Sequence, residues 1–159
     1  MKKFITCALI ALFLIFGISF AKANYGQRPS AQEQIDILHA QQIDNYFRAK
    51  KMPLVGYGSK MIEISDKYNL DWRLLPAISV RETSGGLHMC KGNPFGWGSC
   101  KIGFKTVNES IEIVGNRLGT LPIYKDKTTY KKLYYYNGTV VKAYPNEVIK
   151  IMDSIGTLN

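Results

Sequence analysis

Acidic residues are scarce in this chain: 12 Asp and Glu stand against 21 Lys and Arg. Cysteine and histidine are scarcer still, at three and two. His88, Cys90 and Cys100 form their one local grouping, and three ligands without a fourth do not make a structural metal site. No metal and no cofactor are therefore expected. Internal repeats and low-complexity tracts are absent, which excludes solenoid and fibrous architectures. Charged residues make up only 21% against 46% hydrophobic, so disorder of the charge-rich kind is excluded as well.

The first 23 residues contain no acid. They read as a dibasic start (Lys2, Lys3), an uncharged apolar run from Phe4 to Phe20, and Ala21-Lys22-Ala23, a small-x-small cleavage site. Export with cleavage after Ala23 is expected, with an uncleaved anchor as the competing reading. Removing 23 of 159 residues leaves 136, enough for one ordinary domain spanning 24–159. The formal charge of +9 falls to +6 once Lys2, Lys3 and Lys22 go with the leader. That excess favours an anionic partner without naming one. Export argues against nucleic acid, and no membrane span is expected after cleavage. Cys7 leaves with the leader, so Cys90 and Cys100 remain as an even pair, expected to be disulfide-bonded in an oxidising compartment.

Helical patterns dominate the rest. Ile35, Leu38, Tyr46 and Phe47 recur near the helical period, predicting a helix from Ala31 to Lys50 that Pro53 and Gly56 end. A second short helix runs from Ser59 to Tyr68 and closes at Asn69. Asp71 can cap a third, Trp72 to Thr83, whose Leu74, Leu75, Ile78 and Val80 make it the most apolar segment and so a central one. Leu87 to Phe104 is dense in Gly, Pro, Asn and Cys and reads as an irregular loop or small hairpin. Thr106-Val107-Asn108-Glu109 is a capping box opening a fourth helix through Leu118. A tyrosine-rich fifth helix spans Thr128 to Tyr136, and Pro145 opens a sixth. The expected fold is mostly α, with about six helices, one loop-rich side and one short strand pair.

Glu82 stands out, because it ends the most apolar helix beside a glycine-rich, aromatic loop. A carboxyl there is partly desolvated, and desolvation favours the protonated, proton-donating form. An N–H acceptor or an ion pair with Arg81 is the plainer reading of the same residue. In Asn93-Pro94-Phe95-Gly96-Trp97-Gly98 the glycines let backbone approach a ligand, and Phe95 and Trp97 can stack on a sugar face or plug the core. Most of the tyrosines from Tyr124 to Tyr144 read as helix packing, with one or two reaching a cleft.

These residues together resemble a family. Leu74-Leu75-Pro76-Ala77-Ile78 leading into Glu82-Thr83-Ser84-Gly85-Gly86, then Asn93-Pro94-Phe95-Gly96, Tyr136-Asn137 and Tyr144-Pro145-Asn146-Glu147-Val148 are similar to the bacterial lysozyme-like glucosaminidases. Those are the peptidoglycan-cleaving domains of autolysins and flagellar muramidases. The likeness spans Ile43 to Ile155. It implies an α+β lysozyme-like fold, Glu82 as general acid and a tyrosine opposite it, Tyr136 with Tyr124 and Tyr144 as alternatives. Ser84, Asn93, Phe95, Trp97, Tyr124, Asn137 and Tyr144 are its expected substrate contacts. Lytic transglycosylases are partly similar too, but no Gly-Leu-Met-Gln-like segment follows the glutamate.

Two-carboxylate glycosidases hold their groups about 5–10 Å apart. Asp71 lies eleven residues before Glu82, about 16 Å along a helix. Glu109 is explained by the capping box and Glu112 by a solvated face, while Asp126 is isolated, so no second carboxylate is evident. The expectation is a secreted or periplasmic, wall-associated, monomeric glycoside hydrolase of the endo-β-N-acetylglucosaminidase or muramidase type, acting on peptidoglycan glycan strands. Its competitors are a non-catalytic wall-binding or assembly protein on the same fold, and a lytic transglycosylase.

Overall fold

Ser30 starts the first helix of the computed structural model, which describes residues 28–99 and 101–157. Its hydroxyl accepts from the Glu33 N–H at 3.2 Å, while the Glu33 carboxylate accepts from the Ser30 N–H at 2.6 Å, a full capping box. Helix α1 (Ala31–Ala49) buries Ala40, Ile43, Tyr46 and Phe47. The expected apolar stripe is corrected here: Ile35 and Leu38 are 43% and 59% exposed, because at about 100° per residue they fall outside the face that Ala40, Ile43 and Phe47 turn to the core, Leu38 nearly opposite it. Asp44 then acts at a distance. Its Oδ1 accepts from the N–H groups of Gly56 and Gly58 at 2.9 and 3.0 Å, so a side chain of α1 satisfies the opening turn of α2 (Gly58–Lys67).

Helix α3 (Leu74–Thr83) is buried continuously from Leu74 to Ser79 and packs against α2 and α6 (Tyr144–Gly156), the central position its composition predicts. The expected cap is corrected: α3 begins at Leu74 and not at Trp72, its N-cap Arg73 has no side-chain capping bond, and Asp71 lies before it, accepting from the Arg73 N–H at 3.0 Å and from the Arg73 guanidinium at 2.8 and 3.0 Å. Burial alone would raise the Asp71 carboxyl, but these bonds outweigh it and hold it below its ordinary range. Pro76 is the third residue of α3, where its missing N–H has no intrahelical acceptor to lose.

Helix α4 (Val107–Thr120) opens on Thr106, whose Oγ1 accepts from the Glu109 N–H at 3.1 Å. The expected capping box is only half formed, since the Glu109 carboxylate accepts from Lys105 N–H, one residue earlier. Glu112 is not a merely solvated residue. It accepts from Lys67 at 2.7 Å and from the Tyr68 hydroxyl at 2.8 Å, tying α4 to α2. Gly115 brings the same two helices together, because a Cβ there would fall on the Ile64 side chain. Gly115→Ala is therefore expected to destabilise by about 1–3 kcal/mol through overpacking, although alanine is the better helix former. Chemical denaturation checks the sign, and the cost should shrink in an Ile64→Ala background.

Helix α5 (Thr129–Leu133) continues into a π-helical turn, Tyr134–Gly138, where one long helix was expected. A wider turn fits the packing, since Gly138 sits against Pro145 at the start of α6. The described residues hold six α-helices and no strand. The expected strand pair reduces to an isolated bridge between Cys90 and Asn93, because the loop around it turns too often for a ladder to extend. Cys90 is disulfide-bonded. Cys100, its expected partner, and the leader lie outside the described residues. No helix among the described residues is long and apolar enough to cross a membrane.

Candidate active site

Thr83 fixes the end of α3 to the loop that faces it. Its hydroxyl lies 2.8 Å from the Pro94 carbonyl and 3.1 Å from the Ser79 carbonyl, and it accepts from the Gly86 N–H at 3.0 Å. Ser84 follows in the left-handed region at φ 53°, which turns the chain sharply away. Glu82 is thereby held between the helix end and the loop from Asn93 to Gly98. A Cβ on Gly96 would sit 2.6 Å from Glu82 Oε2, so only glycine leaves that oxygen its place. Glu82 Oε1 is buried with no hydrogen-bond partner among the described residues.

A cleft of about 310 Å³ opens at this carboxylate. Glu82, Gly96, Trp97, Gly98, Ser99, Tyr124, Tyr136 and Asn137 line it. Trp97 meets Tyr136 edge-on at 5.5 Å and Tyr124 at 6.4 Å; Trp97 is half-buried and Tyr124 buried. Glu82 is the only carboxylate on the cleft among the described residues. Glu82 is not the ion-pair partner of Arg81, whose Nε binds Glu147 of α6 at 2.7 Å.

Two tyrosines stand beside the glutamate. Tyr136 donates its hydroxyl to the Phe95 carbonyl at 2.6 Å, joining the π-helical turn to the loop. Tyr144 is fully buried behind it, the rings parallel at 6.0 Å, and so is not a cleft-lining residue. Its hydroxyl has no partner of full hydrogen-bond geometry, yet it interacts with Glu82 electrostatically and through a weak side-chain contact. Burial pushes both phenols well above the ordinary tyrosine range, and the nearby Glu82 charge pushes the same way. Burial raises Tyr46 and Tyr124 also.

These shifts have a sign. A phenol raised in the folded state lends stability that is complete below its unfolded value, about pH 10, and is lost as pH rises towards the folded value. The melting temperature is expected to fall above pH ~10, and less steeply in Tyr144→Phe. Lys132, lowered by burial, works in the opposite direction. Comparing the two proteins by circular dichroism from pH 9 to 11.5 cancels that contribution.

The other expected contacts are distributed unevenly. Asn93 is fully buried: its amide donates to the carbonyls of Trp97 and Ile102 at 2.7 and 3.2 Å, and its Oδ1 accepts from the N–H groups of Phe95 and Trp97. It holds the loop in shape and does not reach the cleft. Phe95 is a core residue with no exposed surface, and Ser84 turns the chain outside the cleft lining. Trp97, Tyr124, Tyr136 and Asn137 do line it.

Lys132 was not foreseen. It is buried, and its ammonium donates to the carbonyls of Leu118 and Tyr124 at 2.9 and 2.7 Å, holding the turn that carries Tyr124. A lone lysine between Lys131 and Leu133 carries no sequence signal for burial, since its acceptors are backbone groups elsewhere. No group of His, Cys, Asp and Glu among the described residues is arranged to hold a metal. Neither a protein-family model nor a curated protein matches this chain.

Proposed function

We propose that this chain is an exported glycoside hydrolase acting on the alternating N-acetylglucosamine and N-acetylmuramic acid backbone of peptidoglycan, with Glu82 as general acid. One observation carries the reading: Glu82, half-buried and with one oxygen against Gly96, is the single carboxylate among the described residues lining a cleft that Trp97, Tyr124 and Tyr136 also line. Such a group can protonate a leaving glycosidic oxygen, while the half-buried Trp97 offers surface for a sugar ring. The sequence resemblance to lysozyme-like glucosaminidases points the same way, as does the mature charge of +6 against an anionic wall. The Cys90–Cys100 disulfide would brace the loop that bears Trp97.

With no second carboxylate on the cleft among the described residues, the other half of the reaction falls to the substrate's own N-acetyl group or to Tyr136. Water that then attacks the anomeric carbon gives hydrolysis, its oxygen replacing the glycosidic oxygen that left with the proton of Glu82. An attack by the sugar's own 6-hydroxyl gives an anhydro end instead, which keeps the transglycosylase reading in place. A wall-binding protein without activity is separated from both by one experiment. Native protein should clear suspensions of purified wall, and Glu82→Gln should co-sediment with the wall without clearing it. Native protein that binds without clearing at any pH or salt would overturn the enzymatic reading.

A further inference from the structure

Arg73 and Arg81 are each paired with a carboxylate, whereas Arg117, near the end of α4, has none within ion-pair distance among the described residues. Its guanidinium lies over the Trp97 ring, 5.8 Å from the centroid. Stacking on an indole holds a guanidinium in place while its N–H edges stay open to a planar anion. Trp97 is a wall of the Glu82 cleft, and Arg117 lines a second depression of about 440 Å³ with Asn116 and Leu121. Two contacts join residues of the cleft to residues of this depression: the Trp97–Arg117 stack, and the Leu121 carbonyl, which accepts from the N–H of Tyr124 at 2.8 Å. Glu112, which also lines the second depression, is already neutralised by Lys67 and Lys60. Arg117 is therefore the charge left unpaired in this depression, in contact with Trp97 of the cleft.

We infer that Arg117 forms an anion subsite continuous with the cleft, and that it binds a carboxylate carried by the glycan strand. The inference rests on the glycan-cleaving reading above. Two sources share that chemistry: the lactyl group of N-acetylmuramic acid once its peptide is removed, and the peptide stem itself. Arg117 would give the cleft a preference for strands bearing an acid over neutral amino-sugar oligomers, and would set which sugar stands next to Glu82.

Calorimetric binding to the Glu82→Gln chain, which leaves the ligands uncut, tests this with three soluble probes: a neutral N-acetylglucosamine oligomer, a peptide-free glycan fragment with lactyl carboxylates, and a peptide-bearing fragment. Adding Arg117→Gln should weaken binding of one or both acidic fragments by about tenfold, the scale of a lost charge-assisted contact. The neutral oligomer should bind as before. The fragment that loses affinity identifies the source of the carboxylate. Arg117→Lys, which keeps the charge but not the planar fork, should recover only part of the loss. Equal affinity for all three probes, unchanged by Arg117→Gln, would overturn the subsite and leave the glycan reading standing. Failure of the Glu82→Gln chain to bind any of the three would overturn both.

Discussion

Glu82→Gln is expected to lower glycan cleavage about a thousandfold, within the range a positioned general acid supplies, while leaving the fold intact. The amide keeps the size and most of the polarity of the carboxyl, so the packing against Gly96 and the neighbourhood of Tyr144 are preserved. It cannot donate a proton to a leaving oxygen. A dye-release assay on labelled wall measures the activity, and thermal unfolding shows that the variant is folded. A variant with wild-type turnover would remove Glu82 from the chemistry.

Gly96→Ala is expected to have the next largest effect, and it works without touching an ionisable group. Gly96 has φ 62°, a left-handed conformation that costs an L-residue about 1–2 kcal/mol. The added methyl would also sit 2.6 Å from Glu82 Oε2 and press the carboxylate out of its place. Displacements of this size in a reacting group cost on the order of a hundredfold in rate. The signature is a rate loss much larger than the loss of stability, read from parallel kinetics and denaturation. A variant that is destabilised yet fully active would show that the approach of Gly96 to Glu82 has no bearing on activity.

Local signals located most of the helices. Proline, glycine and capping residues at Pro53, Asn69, Ser84 and Thr106 act within about a turn of their own position, and helix ends fall close to each of them. The placement of Glu82 beside the aromatic loop was legible for the same reason, since a buried helix followed at once by Gly85 and Gly86 must turn there. Contacts made across the fold were not legible. Asn93 and Phe95 look like ligand contacts in a string of letters, but their partners, Ile102 and Tyr136, come from later in the chain. Tyr144 is buried because α6 returns against α3, and Lys132 because two distant carbonyls need a donor. Ile35 and Leu38 have helical spacing to each other, but around the helix they lie off the face that Ala40, Ile43 and Phe47 bury, and they stay exposed.

Mass spectrometry of the products released from purified peptidoglycan tests the central claim most directly. The native chain should generate new glycan ends, and the Glu82→Gln chain, at equal concentration, almost none. A reducing N-acetylglucosamine end, a reducing N-acetylmuramic acid end or an anhydro end would also identify the bond cut and the fate of the intermediate. The absence of any new end from folded native protein, across the pH and salt range in which it binds the wall, would contradict the assignment of Glu82 as the acid of a glycan-cleaving site.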